Sequence, residues 1–370
     1  MKKITIFIIT AVAAVWLCTF GYAAELDKES IYSEQYSASG ADKLQESLPD
    51  EVREKLYEFD ISSTDISWTE AFTPKNIFAN SVVFLKSGGK RPITAGCAVL
   101  AVLLLGAALG NLSEENKLTA YVMTVGITAA AVLPAVSIIK SCVSAISSAG
   151  VFMLSFVPVY ASILISRGKA VTAAGFSAVM LTVSEAVTAL CSFVIVPLTG
   201  IQLALSVSGS VLTEINTLSV SKAIKKASTW ILSLSATVLL GLLGIQTVVG
   251  GAADTLSSKT AKFIIGTAVP VVGTTVSEAL STVRGCIKLL GSSVAVYSIA
   301  ALALLFLPTI VELLLWRVSL LLCASVAEML GQERSAGLIR SVDSAVAFVL
   351  GIMILIGVLF IISVTVVAVV

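Results

Sequence analysis

The sequence contains no histidine, and charged residues are scarce in it. Of its 370 residues, 57% are hydrophobic and 13% are charged. Without histidine the chain lacks the usual general base, the usual partner of a serine or cysteine nucleophile, and the commonest zinc ligand. The 24 basic and 23 acidic residues leave a net charge of +1, which provides no broad cationic surface for nucleic acid. We therefore expect a protein that is not an enzyme, holds no cofactor or metal, and has no nucleic-acid partner.

Motifs built on cysteine or on a phosphate-binding loop are missing as well. The pairs Gly89-Lys90 and Gly168-Lys169 are not followed by the Ser or Thr of a P-loop, so any energy from ATP is expected to come from a partner. Isolated cysteines in apolar stretches are typical of small core residues rather than of a disulfide or metal framework. The six cysteines are Cys18, Cys97, Cys142, Cys191, Cys286 and Cys323.

Long hydrophobic runs dominate the chain after residue 92. The mean hydropathy of +0.99 is that of an integral membrane protein. A helix needs about 20 apolar residues to cross a bilayer, and eight runs come near that length. They are residues 93–112, 121–139, 143–165, 171–196, 201–221, 230–250, 293–316 and 345–369. With two weaker stretches at 263–283 and 318–331, the sequence predicts an all-α polytopic membrane protein with about eight to ten crossings.

The amino terminus has the pattern of a secretory signal peptide. Two lysines precede an apolar run from Ile4 to Phe20, and small residues stand before a cleavage site after Ala23. An uncleaved membrane anchor is the alternative interpretation. With the signal peptide at residues 1–23 removed, residues 24–92 form a short exported segment that carries 8 basic and 13 acidic residues.

One helix can be predicted within this acidic segment. Asp50 and Glu51 suit the positive end of a helix dipole, and Val52, Leu56 and Phe59 recur at helical spacing. The segment is therefore expected to be mostly helical and extracytoplasmic, followed by a multi-span domain over residues 93–370.

Positive charges in the loops predict an orientation. With residue 92 outside, the loops at Lys117, at Arg167 and Lys169, and at residues 222–226 fall inside and carry six positive charges. The outside loops up to residue 228 carry only Lys140. An excess of Lys and Arg is expected in cytoplasmic loops, so the count agrees with the signal peptide.

Small residues are frequent in the predicted spans. Gly106 and Gly110 form one pair at the spacing of a helix-packing motif. Such a motif favours a tightly packed bundle within the chain, and a dedicated dimer face is the alternative.

Carboxylates inside the spans are the candidate functional residues, because a charge in the bilayer is costly and tends to mark an interior or a path. Glu185 and Glu278 lie in identical Thr-Val-Ser-Glu-Ala strings, which are an accident of composition or a duplicated element. Glycine and proline interrupt the stretch at about 258–283, which predicts a broken helix. The candidates for a transport path or bundle interior are Glu185, Glu278, Glu312, Pro270, Gly266 and Gly273.

Two strings in the membrane half point to a family. Residues 155–160 read Ser-Phe-Val-Pro-Val-Tyr, and residues 258–263 read Ser-Lys-Thr-Ala-Lys-Phe before Ala-Val-Pro-Val-Val-Gly at 268–273. In these strings and in its layout, the sequence resembles stage III sporulation protein AE of endospore-forming bacteria. No catalytic residue is implied by this resemblance.

The resemblance implies a role in sporulation. It implies a multi-pass protein of the mother-cell membrane around the forespore, and a subunit of a secretion-like channel or transport complex between the two cells. The implied partners are other stage III sporulation A-type membrane proteins, including a separate secretion-type ATPase. A stand-alone ion-coupled secondary transporter that uses intramembrane Glu residues is the alternative function.

Overall fold

The protein is all-α in the part of the chain that its computed structural model describes. That part comprises residues 28–58, 90–110, 117–211 and 273–369, with runs of two or three residues between 223 and 245. Two short π-helical segments, Thr128–Val132 and Cys191–Ile195, lie between α-helices. The α-helices are α1 Lys28–Ser39, α2 Lys43–Glu46, α3 Asp50–Glu58, α4 Lys90–Gly110, α5 Lys117–Ile127, α6 Leu133–Ser166, α7 Ala170–Leu190, α8 Val196–Val211, α9 Gly273–Met329 and α10 Glu333–Val369.

The predicted polytopic membrane fold is confirmed, but three predicted span boundaries are wrong. The expected breaks near Lys140, Gly200 and Arg317 all fall inside continuous helices. Five described helices are long and apolar enough to cross a membrane. They are Lys90–Ala108, Val122–Ser166, Ala170–Gly209, Gly285–Met329 and Glu333–Ala368.

The helices continue because few turn-forming residues stand at the predicted breaks. Lys140 stands alone at its boundary, without a Gly, Pro or Asn to form a turn, and its side chain lies on the exposed face of α6. Two prolines lie within the helical segments without ending them. Pro134 and Pro197 each follow a π segment by two residues. A proline removes one backbone donor and crowds the preceding turn, and a π segment widens that turn.

Helix α9 forms the centre of the molecule and runs antiparallel to both α6 and α10. At one end the Arg167 Nη2 donates to the Lys288 carbonyl at 3.0 Å. At the other end the Gln332 Nε2 donates to the Leu103 carbonyl of α4 at 2.9 Å. The turn between α9 and α10 includes Gly331, whose φ of 71° favours glycine.

The acidic helices α1 to α3 pack against the Arg167 end of these long helices. The Ser162 Oγ of α6 donates to the Ser39 carbonyl at 3.3 Å. Helix α3 confirms the helix predicted from Asp50, and its Val52 and Leu56 are buried as expected. Residues 28–58 and the Arg167 loop therefore lie together, and the expectation that a bilayer separates them is wrong. Charge counting failed because it required a turn near Lys140.

Small residues allow helices of this chain to pack closely against each other. A side chain at Gly106 would clash with Met123, one at Gly126 would press on Val102, and one at Gly96 would clash with Ser319. Close approach of α4 to α5 and α9 therefore requires these glycines. The tightly packed bundle is the interpretation that this geometry supports.

The string that carried the family resemblance also packs in the core. Phe156 and Tyr160 of α6 are fully buried. Both rings contact Phe176 of α7 edge-on, with centroids 6.4 and 6.3 Å away. This aromatic cluster holds the α6–α7 hairpin together near its turn.

Candidate functional site

Glu312 is the predicted site residue that lines a cavity. The cavity has a volume of about 600 Å³ and lies between α4, the first π segment with the start of α6, and α9. Alanines form much of its wall. Its polar lining consists of Lys90, Arg91, Thr94, Ser137, Glu312 and Trp316.

Each element places its residues at the cavity for a local reason. Helix α4 begins at Lys90, so its first turn presents two consecutive cations at the cavity mouth. Helix α9 contributes Glu312 and Trp316, which are four residues apart and therefore on one helix face. The π segment contributes the small side chains of Ala129 and Ala130, which leave the cavity open.

The cavity contains two positive charges and one negative charge. Lys90 and Arg91 are exposed, and Glu312 is half-buried. The positive charge of Arg91 acts on the Glu312 carboxylate. Trp316 is 2% exposed, and its indole N–H has no hydrogen-bond partner among the described residues. The site therefore offers two cationic groups and one carboxylate to a small molecule.

A partly buried ion pair follows Trp316 in α9. The Arg317 Nε donates to the Asp343 Oδ1 at 3.1 Å, and it joins α9 to α10. Asp343 is 9% exposed. Sequence reasoning placed both residues between spans and missed the pair. Its signal is the spacing, because Arg317 and Asp343 each lie 13 residues from Leu330 (330 − 317 and 343 − 330) in the turn.

Among the other predicted site residues, those that the structure describes do not line this cavity. Glu185 is exposed on the outer face of α7. Gly273 is the first residue of α9, and Glu278 follows within that helix, but the side chain of Glu278 lies outside the described structure. Gly266 and Pro270 lie outside the described residues, so the predicted break at 258–283 stays a prediction up to residue 272.

Comparison with known proteins identifies the family. The sequence profile of stage III sporulation protein AE matches residues 92–370. The chain belongs to this family. Its relatives include stage III sporulation protein AE of Bacillus subtilis (strain 168), which is 22% identical over 326 residues, covering 86% of this chain and 80% of the relative. No solved structure matches the chain.

The family match locates the shared part of the molecule. The match to the stage III sporulation protein AE family begins at residue 92 of this chain, in the first turn of α4. It therefore includes all five long apolar helices, the cavity residues from Thr94 onward, and the Arg317–Asp343 pair. The acidic helices α1 to α3 lie before it.

Proposed function

We propose that this protein is a membrane subunit of a sporulation-specific, secretion-like transport complex between mother cell and forespore. Its partners would be other stage III sporulation A-type membrane proteins, including a separate ATPase. Family membership supports the sporulation role. The length of the apolar helices is the observation that supports assembly with other chains.

Four of the five apolar helices are too long for one bilayer. The helix Val122–Ser166 has 45 residues. At 1.5 Å per residue it extends for about 68 Å, whereas the hydrocarbon core of a bilayer is about 30 Å thick. Only the 19-residue helix Lys90–Ala108 has the length of a single crossing. Apolar surface must therefore project beyond the lipid, where other protein chains would cover it.

We divide the molecule into two layers at a belt of charges formed by Lys140, Glu312, Arg317 and Asp343. The belt lies near the start of α4, because Lys90 and Glu312 line one cavity and the Ser319 Oγ donates to the Pro92 carbonyl. We call the half beside α4 the α4 layer and the half between this belt and Arg167 the distal layer.

One observation favours the α4 layer as the part in lipid. The 31 residues from 59 to 89 connect α3, at the far end of the distal layer, to Lys90 at the belt. Their sequence includes Asp60, Asp65, Glu70, Lys75 and Lys86 and lacks the pattern of an apolar crossing. Exposed charges are present in both layers, Glu185 in the distal layer and the Arg340–Glu328 pair in the α4 layer. The distal layer would then stand outside the cytoplasm of the mother cell, together with the acidic helices.

The stand-alone carrier is the second candidate function, and the Glu312 cavity is the observation that favours it. A carboxylate opposite two cations offers a group whose charge is able to change during transport. A carrier would move its substrate as a purified protein in liposomes. A subunit would be inactive alone and would be captured with its partners.

Affinity capture from sporulating cells tests the proposal. The tagged wild-type chain should retain stage III sporulation A-type proteins. Replacing the exposed Val151 and Leu154 of the distal layer with Trp should abolish capture, because a packed interface has no room for the larger side chains. The matched pair Val122→Trp and Val125→Trp, which is also exposed but lies in the α4 layer, should leave capture intact because lipid adapts to the larger side chains.

The outcomes separate the alternatives. Loss of capture only in the Val122 and Val125 pair would place the interface in the α4 layer and reject the assignment of the bilayer. Capture that neither pair reduces, together with solute uptake by the purified chain in liposomes, would reject the subunit role in favour of the carrier.

A further inference from the structure

We propose that the Glu312 cavity binds the headgroup of an aminophospholipid, with the phosphate at Lys90 and Arg91 and the ammonium group at Glu312. The inference rests on the proposed placement of α4 in the bilayer, but it does not depend on any protein partner. It assigns a lipid-binding site to a surface that the transport proposal leaves unused.

The cavity lies at the depth of lipid headgroups. Helix α4 has the length of one crossing, and Lys90 and Arg91 occupy its first turn. When α4 spans the bilayer, this turn reaches the interface between hydrocarbon and water. Trp316 lines the same cavity, and tryptophan is enriched at that interface. A phospholipid of the adjacent leaflet would therefore reach the cavity without leaving the bilayer.

The charges match a headgroup that carries both signs. Lys90 and Arg91 are both exposed at the cavity mouth, and arginine binds phosphate oxygens with paired donors. Glu312 supplies the one negative charge in the lining. A phosphate with a nearby primary ammonium group complements all three side chains, whereas a simple anion would leave Glu312 opposed to it.

Trp316 forms part of the cavity wall. Its side chain is 2% exposed, and its Nε1–H is buried in the wall and not open to the cavity. The polar contacts to a ligand therefore come from the three charged side chains, and the Trp316 ring lies close enough to the cavity to report on its contents.

The rest of the wall suits the apolar part of a lipid. Ala95 and Ala98 of α4 continue from the two cations toward the middle of the helix, and Ala129 and Ala130 face them. The volume of about 600 Å³ is within the range of small-molecule sites and accommodates a headgroup with the first carbons of a chain. The remaining acyl chain would lie along α4 in the bilayer.

Fluorescence of Trp316 provides a direct test on the full chain. Trp16, Trp68 and Trp230 are replaced by Phe, so that Trp316 is the only tryptophan left. The purified protein is reconstituted in phosphatidylcholine vesicles that contain increasing fractions of brominated phosphatidylethanolamine, phosphatidylglycerol or phosphatidylcholine. Bromine quenches tryptophan at close contact. We expect half-maximal quenching at a mole fraction about fivefold lower for phosphatidylethanolamine than for phosphatidylcholine.

Single substitutions show which charged side chain contacts the phosphate and which contacts the ammonium group. Arg91→Gln should weaken quenching by both phosphatidylethanolamine and phosphatidylglycerol, because both carry a phosphate. Glu312→Gln should weaken quenching by phosphatidylethanolamine only. Lys140→Gln is the matched control, because Lys140 is an exposed cation of α6 that does not line the cavity. Unchanged circular dichroism and elution volume show that each variant is folded.

Three results would overturn the proposal. Equal quenching by the three lipids means that only non-specific lipid surrounds Trp316. Equal loss of quenching in the Lys140→Gln control means that surface charge in general, and not the cavity, attracts the lipid. Stronger quenching by phosphatidylglycerol than by phosphatidylethanolamine means that the cavity takes an anion and that Glu312 binds no ammonium group. None of these results depends on affinity capture, so the transport proposal stands or falls separately.

Discussion

Arg317 and Asp343 carry opposite charges in a region where most side chains are apolar. Removing two charges from water is costly, and their attraction compensates only while both partners remain in place. The pair joins the two helices of the α9–α10 hairpin in the last quarter of α9. A contact at this position favours one register of α9 against α10.

The pair gives a prediction about stability. Asp343→Ala should lower the free energy of unfolding by about 2 kcal/mol, because it leaves the Arg317 guanidinium partly buried without its acceptor. The double variant Arg317→Met with Asp343→Leu should recover most of the loss. Thermal unfolding in detergent measures both effects. Arg340→Gln is the control, since the Arg340–Glu328 pair is exposed and should contribute less than about 1 kcal/mol. An equal loss in the control would contradict the role given to burial.

At the scale of elements, the joint between α6 and α9 depends on one arginine and one glycine. Arg167 follows the last residue of α6, and its guanidinium donates to the Lys288 carbonyl of α9. The guanidinium occupies the space beside Gly291 that a side chain would fill. Because Gly291 has no side chain, Arg167 has room to contact α9 and so joins it to α6.

This joint gives a second stability prediction. Gly291→Val should destabilise the protein by about 2 kcal/mol, because the added side chain expels the guanidinium and its hydrogen bond to Lys288. Gly285→Val, in the same helix with open space around it, should have little effect. Thermal unfolding again provides the measurement. If Arg167→Ala does not reduce the effect of Gly291→Val, the steric explanation is wrong.

The helices themselves were predictable, but several of their ends were not. The run predicted at 93–112 corresponds to α4, and Asp50 marks the start of α3 as expected. Lys140 looked like a loop charge because local sequence cannot show that its side chain reaches the surface of a continuing helix. Pro134 and Pro197 are equally ambiguous, since whether a proline ends a helix or follows a π segment depends on the neighbouring helices.

The candidate site was predictable in one residue. Glu312 was identified because a carboxylate within a hydrophobic run requires an explanation. Its companions Lys90 and Arg91 are more than 200 residues away in the sequence, and they had the appearance of ordinary residues at the edge of a span. Pairing between distant helices follows from packing, and no local pattern records it. Glu185 is also a carboxylate within a hydrophobic run, but it lies on the exposed face of α7.

At the scale of the whole molecule, the continuous helices determine which ends of the chain share a side of the membrane. Residues 28–58 lie beside Ser162 and the loop at Arg167. The turn with Arg334 lies at the opposite end of α9, where Gln332 contacts α4. Any bilayer around the long helices separates these two ends. Export of the amino-terminal segment would therefore also place the Arg167 loop outside.

Cysteine labelling tests this arrangement. The native cysteines are replaced, and single cysteines are introduced at the exposed Ser37, Ser166 and Arg334. In intact cells, an impermeant thiol reagent should label Ser37→Cys and Ser166→Cys, because α1 packs against the end of α6. Arg334→Cys should react only after the membrane is permeabilised, because α9 carries its turn to the other side. Labelling of Ser37→Cys and Ser166→Cys from opposite sides would contradict the packing of α1 against the end of α6.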